Sequence, residues 1–568
     1  MKYSVLTLFA AYLWLCSCQQ ENPLDSIILE YDTFQESLKD DDYPWPKISD
    51  NDISERLSFY QEVQKSLNNI SISTLSEKDL INYEMLKHIV DDKVYNLDYK
   101  SHLIPITSEG GFVTGIIFSI QRKQLKTVDD LEKYLTYLRT FSTYIDHRIS
   151  SLKSGLVSGK KSSKFITSKF LNILDPFVAS ASEKENLFQK ALDTYEGELS
   201  EDVQTEIAQL IENDVPTSLQ KLSDFFHNEY LPKAYDKIGA GQLPDAEAYY
   251  QQRVNYFTTL DITPEEVFQT GIREVARIKA DMEGVIRDLD FEGTWEDFFD
   301  FLRSDPQFYA KSPEDILMRA SWICKEMEFE MPKYFGHMPS MPFSVKPVPA
   351  AIAPNYTAGR YSGGSYKDHR AGQYWVNTTK LESRPLYALP ALSLHEAVPG
   401  HHTQNMLAAE MTGLPKFRSN YLSAFGEGWG LYCEYLGIEA GIYKTPYENF
   451  GRMTYEMWRA CRLVVDVGMH FKGWDRQKAF DFMASNTALS IHEVNTEIDR
   501  YIGWPAQAVS YKMGELKIRE LRKRAEEALA DDFDIRAFHD KILENGSVPL
   551  STLERIIDQF IIASKSKI

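Results

Sequence analysis

Five cysteines in 568 residues are too few, and too widely spaced, for a disulfide framework. Beyond the first eighteen positions only Cys324, Cys433 and Cys461 remain, without the close pairs of a zinc–thiolate site, and they read as small buried hydrophobes. Positive charge is in deficit as well: 62 Lys and Arg against 83 Asp and Glu leave a net charge of −21 at pH 7. Such a chain repels phosphates, which argues against nucleic acid and anionic membrane surfaces as partners. Fixed-period repeats and low-complexity tracts are absent, so a solenoid is not indicated. With 43% hydrophobic and 26% charged residues, what remains is a large globular protein with a sizeable core.

The N-terminus stands apart from that core. Lys2 precedes an apolar run from Val5 to Leu15 that is too short to span a bilayer. Leu15-Cys-Ser-Cys18 has the form of a lipobox, whose last cysteine becomes the lipidated N-terminus; a plain secretory signal, leaving Cys18 a thiol, is the alternative. Residues 1–17 are expected to be a lipoprotein signal peptide. Gln19 and Gln20, with no Asp after Cys18, point to the outer membrane of a Gram-negative cell, on its periplasmic or its surface face. Residues 18–46 read as a tether and N-terminal segment, and 47–568 as one helix-rich catalytic unit: a helical lobe over about 47–330 and a site-bearing lobe over about 331–568.

Capping residues mark helix starts within this unit, at Ser76-Glu-Lys-Asp79 and at Thr263-Pro-Glu-Glu-Val267. Val128 to Ile149 and Pro216 to Leu231 repeat apolar residues at helical spacing. Met338 to Pro349 is Pro-rich and extended, and Gly372-Gln-Tyr-Trp-Val-Asn377 is the one convincing strand. Helical patterns resume over Tyr421–Leu436, Asn449–Lys472, Ile491–Ile502 and Gln507–Leu529. The expected fold is mainly α with one small β-sheet, in two lobes.

Between the strand and those helices lies Ser393-Leu-His-Glu-Ala-Val-Pro-Gly-His-His-Thr-Gln404. A His-Glu-x-x-His helix places two zinc-binding histidines on one face, with a Glu to activate water. Here two further residues separate the histidines. In a straight helix, residues six apart lie about 240° apart around the axis, and residues seven apart stand roughly 10 Å apart along it. Two imidazoles on one zinc need their nitrogens about 3–3.5 Å apart. An unbroken helix therefore fails for His395 with either His401 or His402. Pro399 cannot donate to the ladder and Gly400 tolerates unusual dihedrals, so this pair can loop out, which favours His401 as the second ligand. Satisfied histidines at a helix end are the structural alternative.

A third ligand is offered by Phe425-Gly-Glu-Gly-Trp-Gly-Leu-Tyr-Cys-Glu-Tyr435. Glu427 lies among apolar residues and glycines, where a carboxylate needs a partner, and Glu434 two turns on is suited to orient a ligating histidine. A pair of surface glutamates is the plainer reading. Arg462, Asp466 and His470 form a polar stripe in an apolar helix, either a cleft wall or a self-satisfied network. Arg500, Tyr501 and Tyr511 are candidate donors to a developing oxyanion, or else buried groups satisfied by backbone. Arg360, His369 and Arg370 are candidates to hold a substrate carboxylate, or solvated loop charges.

Four stretches in order resemble the motifs of the bacterial family called domain of unknown function 885. They are His395–Gln404, Glu427–Glu434, Arg459–Asp466 with Gly468 and His470, and Arg500-Tyr501 with Pro505, Gln507 and Tyr511; the likeness covers nearly the whole mature chain. That family resembles the gluzincin metallopeptidases. The resemblance implies a two-lobed metallopeptidase-like fold with a deep central cleft, one Zn2+ on His395, His401 and Glu427, and Glu396 as general base. It also implies an edge strand that pairs with the substrate backbone, for which Gly372–Asn377 is placed, with Tyr374, Trp375 and Asn377 at the substrate. His402, Glu434, Asp466 and Arg462 would then stand behind the ligands, while Tyr511 and His470, or Tyr501, stabilise the tetrahedral intermediate. The departure from His-Glu-x-x-His makes peptidase activity an inference from relatives.

The expected function is therefore a zinc-dependent peptidase acting on peptides and anchored to the membrane through a lipid on Cys18. Its rivals are a non-catalytic surface lipoprotein that binds peptides or glycans, and a metal-dependent hydrolase of non-peptide amides.

Overall fold

The computed structural model describes residues 23–350, 353 and 356–566. The expected signal peptide and the lipobox cysteine Cys18 lie outside the described residues. Local sequence sets most helix starts. Ser76 caps the helix Glu77–Asp98, and Thr263 forms a capping box with Glu266 at the head of α1 (Pro264–Asp288), whose first-turn proline lacks a donor that no partner would have used. The single helix expected over 128–149 is two, Val128–Arg139 and Phe141–Ser158. Thr140 makes the break: its hydroxyl bonds back to Thr136 O at 2.6 Å while accepting the Trp45 indole N–H at 3.0 Å. Phe112–Gln121 is also a helix, although its near-continuous apolar run carries no helical stripe.

Three short strands, β1 (Phe343–Pro347), β2 (Gly359–Ser362) and β3 (Gly372–Val376), form one sheet in the order β1-β3-β2. β1 runs parallel and β2 antiparallel to β3. The strand anticipated from sequence is thus the central one, and both its edges are occupied, which overturns its expected role of pairing with a substrate backbone. Its side chains are committed too. Tyr374 and Asn377 are fully buried, Tyr374 at the Ser393 hydroxyl and Asn377 on the carbonyls of Ala353, Tyr356 and Thr357. Trp375 spends its indole N–H on Gln373. β1 and β2 are the edge strands, and β2 is a polar four-residue segment with none of the alternation that marks strands in sequence.

Around the sheet pack α2 (Leu389–Glu396), α3 (His401–Glu410), α4 (Ser423–Glu439), α5 (Pro446–His470), α6 (Ile491–Gly503) and α7 (Ser510–Leu529). Every residue of α5 from Phe450 to His470 is buried, so its polar groups depend on partners inside the protein, and Thr454 Oγ1, Arg459 Nε, Arg462 Nη1 and Asp466 Oδ2 find none among the described residues. Helices α4 and α7 cross so closely that a β-carbon at Gly428 would stand 2.6 Å from the Gly514 α-carbon. Lys512 of α7 is wholly buried, 3.1 Å from Glu274, 2.9 Å from Glu456 and 2.6 Å from Glu515, and so ties α1, α5 and α7 together. Removing one partner from a buried cluster of this kind costs about 3–5 kcal/mol, because the remaining charge is stranded. One contiguous hydrophobic core runs from Leu24 to Ile561. No described helix is long and apolar enough to cross a membrane.

Candidate metal centre

Helix α2 is buried at every position from Leu389 to His395, so it runs through the interior rather than along a surface. It ends at Glu396. Ala397 leaves the helical region at φ −102°, ψ −105°, Pro399 has no N–H to continue the ladder, and α3 restarts at His401. The break closes on itself: Gly400 N donates to Leu394 O at 3.0 Å, and His402 N donates to Ala397 O at 3.1 Å. A β-carbon at Gly400 would collide with the carbonyls of Leu394 and His395, so the return admits only glycine. Trp429 of α4 holds it from outside by donating to Pro399 O at 2.9 Å.

This return turns His401 toward His395. The two imidazoles lie 4.7 Å apart at 87°, and their Nε2 atoms stand 3.4 and 3.5 Å from one oxygen, Oε2 of Glu427. Hydrogen bonds between such groups would be about 2.7–3.2 Å long. Ligand atoms bound at 2.0–2.2 Å around a tetrahedral ion sit about 3.3–3.5 Å from one another, so the spacing fits a shared cation better than direct bonding. His395, His401 and Glu427 are the one group of metal-ligating side chains among the described residues whose ligand atoms all lie within 4.8 Å of each other.

Each ligand has support. His395 Nδ1 is 2.9 Å from Glu434 Oε1, which stands 3.4 Å from the Arg459 guanidinium. With the Nδ1 proton directed at Glu434, Nε2 keeps its lone pair for the Glu427 side. Burial pulls the His395 pKa down, but Glu427, Glu434 and Glu396 outweigh it and raise it to about 9, so the pocket as built draws in positive charge. Burial opposes ionisation of Glu427, yet the two histidines hold its carboxyl well below the usual range. Tyr421 donates to its other oxygen at 3.0 Å.

The glycines of the Glu427 stretch each face a different neighbour. A β-carbon would strike the Tyr421 ring at Gly426, the Gly514 backbone at Gly428, and the His395 imidazole, at 2.6–2.9 Å, at Gly430. Gly430 is what lets α4 lie flat against a ligand. Gly430→Ala is expected to displace the His395 ring and weaken metal binding about 10–100-fold, the range for disturbed ligand support, with helix content unchanged; a metal titration checks it.

Glu396 adjoins this group. Its Oε2 accepts the Tyr361 backbone N–H at 2.7 Å, so β2 directs toward Glu396 an N–H that its ladder with β3 leaves free. Arg360, next on β2, is exposed, and Tyr356 and Glu396 hold its pKa above the ordinary value against the effect of partial burial. Arg370 lies in the following turn and bonds to Gly363 O at 2.7 Å, the arrangement of a loop charge rather than a substrate clamp.

Other expected residues are placed elsewhere. His402 faces away from the three ligands: Nε2 is 3.0 Å from Met341 O and Nδ1 3.0 Å from the Tyr361 hydroxyl, and burial lowers its pKa to about 4. It acts as a neutral strut between α3 and the sheet. His470 accepts Ala240 N–H at 2.9 Å on Nδ1 and bonds Tyr501 O at 3.0 Å through Nε2, leaving no donor for an oxyanion. The Tyr501 hydroxyl is saturated by Glu497, Arg462 and Trp458 at 2.6, 2.7 and 3.0 Å. Arg500 is spent on Gln507 and Glu497, and Asp466 takes Tyr250 and the Ala506 N–H. The buried network, not the catalytic wall, is the correct account of His470, Tyr501, Arg500 and Asp466. Asp466 and His470 lie on the wholly buried α5, Arg500 and Tyr501 on α6, and their polar groups are met by neighbouring segments, save one Asp466 oxygen that has no partner among the described residues. Arg462 belongs to the same network, yet its guanidinium also lies 4.2 Å from the Tyr511 ring centroid. The Tyr511 hydroxyl has no hydrogen bond among the described residues.

Sequence reasoning does not reach Tyr361 or Tyr421, because no spacing rule ties either tyrosine to a carboxylate. Gly430 does carry a signal, as the third glycine at two-residue spacing around Glu427.

No curated protein matches the chain. The family profile described as bacterial protein of unknown function (DUF885) matches residues 32–557. Among solved structures, a candidate lipoprotein from Colwellia psychrerythraea is 25% identical with a TM-score of 0.85, over 95% of this chain and 99% of that one. A candidate lipoprotein of unknown function from Shewanella oneidensis is 18% identical with a TM-score of 0.69, over 97% and 98% of the two chains, which shows a shared fold. A candidate oligoendopeptidase F from Bacillus anthracis covers 93% of this chain and 98% of its own at 11% identity, and its TM-score of 0.29 is too low to bear on fold or activity.

Proposed function

Because the chain belongs to the DUF885 family of bacterial proteins of unknown function, its chemistry has to be taken from its own site, and we propose that it is a zinc-dependent peptidase. The observation that carries this reading is the pair of imidazole nitrogens 3.4 and 3.5 Å from one Glu427 oxygen, with the Glu396 carboxylate next in sequence to a ligand. His395, His401 and Glu427 would hold one Zn2+, two nitrogens and a carboxylate being a donor set that suits this ion. Bound there, zinc would supply Lewis-acid polarisation of a carbonyl and make water acidic enough to be a nucleophile near neutral pH.

The chain's own groups supply the rest. Glu396 takes a proton from the attacking water and returns it to the leaving nitrogen, while the Tyr361 N–H fixes one of its oxygens and leaves the other available. Tyr511, its ring steadied by Arg462, remains as donor to the developing oxyanion once Tyr501, His470 and Arg500 are set aside. β2 is the edge strand beside Glu396, along which a peptide backbone would lie, its Tyr361 N–H already committed to that carboxylate. The cleft so formed would lie between a lobe over about 47–330 and one over 331–568, in a gluzincin-like arrangement. A relative described as a candidate lipoprotein supports a lipid on Cys18 and a place in the cell envelope; Gln19 and Gln20 after the lipobox favour the outer membrane.

Metal analysis and a peptide-library digest test this reading. We expect one zinc per chain, and cleavage that a chelator stops and added zinc restores. A protein that binds no stoichiometric metal and cleaves nothing would be a non-catalytic binder, and a metal-loaded protein inert toward peptides would act on other amides.

A further inference from the structure

Toward the N-terminal end of α2 lies a cavity of about 180 Å3. That is far above the ~10–15 Å3 a single water needs, and on the order of one amino-acid residue. Leu389 and Leu392 of α2 line it, and Leu392 stands one helical turn before Glu396, on the same face. Ala358 lines it as well, two residues before Arg360 and so on the same side of the chain leading into β2. The cavity thus lies about one helical turn from Glu396 along α2, and none of the three clustered ligands lines it.

Its walls mix apolar and polar groups, and a few of the polar ones lack partners. Glu493 of α6 lines the cavity, and its carboxylate has no hydrogen bond or ion pair among the described residues. Thr454 of α5 is 2% exposed, and its hydroxyl is buried without a partner. Tyr455 is 6% exposed, and its hydroxyl bonds nothing described. Arg384 gives one nitrogen to Tyr356 O, while its Nε has no partner. The other cation on the wall, Arg303, is spent on the carbonyls of Thr487 and Leu489.

Glu493 is half-buried, and a carboxylate at a cavity wall without a direct ion pair or donor is left for a guest that supplies both. Burial and the neighbouring Glu497 push the Glu493 carboxyl up to about 7, although Arg384, Arg459 and Arg462 pull the other way. Those arginines do not satisfy it. We propose that this cavity is a substrate subsite for an ammonium group, held by the Glu493 carboxylate with the Thr454 and Tyr455 hydroxyls. Arg384 Nε is left to donate to an acceptor on the same guest, so an aminoacyl-sized group fits the set. The word substrate rests on the peptidase reading; the recognition of an ammonium group does not. The group has two sources, the free amino terminus of a peptide or a lysine side chain.

Calorimetry on the zinc-loaded Glu396→Gln protein, which binds without turnover, tests this with three probes. Leucinamide carries an α-ammonium, Nα-acetyl-lysinamide a side-chain ammonium, and Nα-acetyl-leucinamide neither. At least one ammonium probe is expected to bind ten-fold or more tighter than Nα-acetyl-leucinamide, and which one does so identifies the source. Adding Glu493→Gln is expected to erase the difference. Equal binding of all three, or no binding of any, overturns the subsite without recourse to the variant. The outcomes also separate the two readings: an ammonium preference in a protein that cleaves no peptide sinks the peptidase and keeps the subsite, and peptide cleavage without the preference does the reverse.

Discussion

Glu396→Gln is expected to lower peptide turnover about 10^2–10^4-fold, the usual contribution of a positioned acid–base group, while zinc content stays at one per chain. The substitution is close to isosteric, and an amide oxygen still accepts the Tyr361 N–H that Oε2 accepts at 2.7 Å, so β2 and α2 keep their places. Glu396 is not among the three clustered ligands, so removing its charge removes the base and not the ion. Parallel measurement of kcat, metal content and thermal midpoint separates these effects. Wild-type turnover in this variant would dismiss Glu396 as the base.

The second large effect distinguishes two adjacent histidines. His401→Ala should abolish stoichiometric zinc and all turnover, since it removes one of two nitrogens that face Glu427 Oε2. The loss should exceed the ~10–100-fold that disturbing an outer partner costs. His402→Ala should leave zinc bound. Its cost falls on stability, about 1–3 kcal/mol for a Tyr361 hydroxyl and a Met341 carbonyl left without their ring partner, seen as a lower denaturation midpoint. Zinc lost from the His402 variant and kept in the His401 variant would reverse the assignment.

These two residues also mark how much of the site is legible in the sequence. Helix starts at Ser76 and Thr263 were legible because a cap and the donors it satisfies lie within one turn. The break at Pro399-Gly400 was legible for the same reason: a missing N–H and a missing β-carbon act where they stand, and the arithmetic of a straight helix then leaves His401 as the reachable partner. Glu427 and Glu434 were legible as acids in a setting that demands partners. Strand roles were not. β3 reads as a strand from its own residues, but the edge role was implied only by the resemblance, and β3 is central because β1, twenty-nine residues upstream in register, and β2 pair with its two sides.

The same division governs the polar residues. His470, Tyr501, Arg500 and Asp466 have the chemistry of catalytic groups, and nothing in their spacing says otherwise. His470 is neutralised as a donor by Ala240, 230 residues away, and by the carbonyl of Tyr501. By itself the sequence determined which side chains are able to ligate a metal, where their helix must break, and that the fold is mainly helical, because each of these depends on covalent geometry and contacts within a turn or two. Tertiary structure alone decided which strands lie at the sheet's edges, which buried groups are already satisfied, and where an unpaired carboxylate such as Glu493 faces a cavity. Those outcomes depend on which distant segments meet, since a buried polar group's role is set by whether another part of the chain has reached it first.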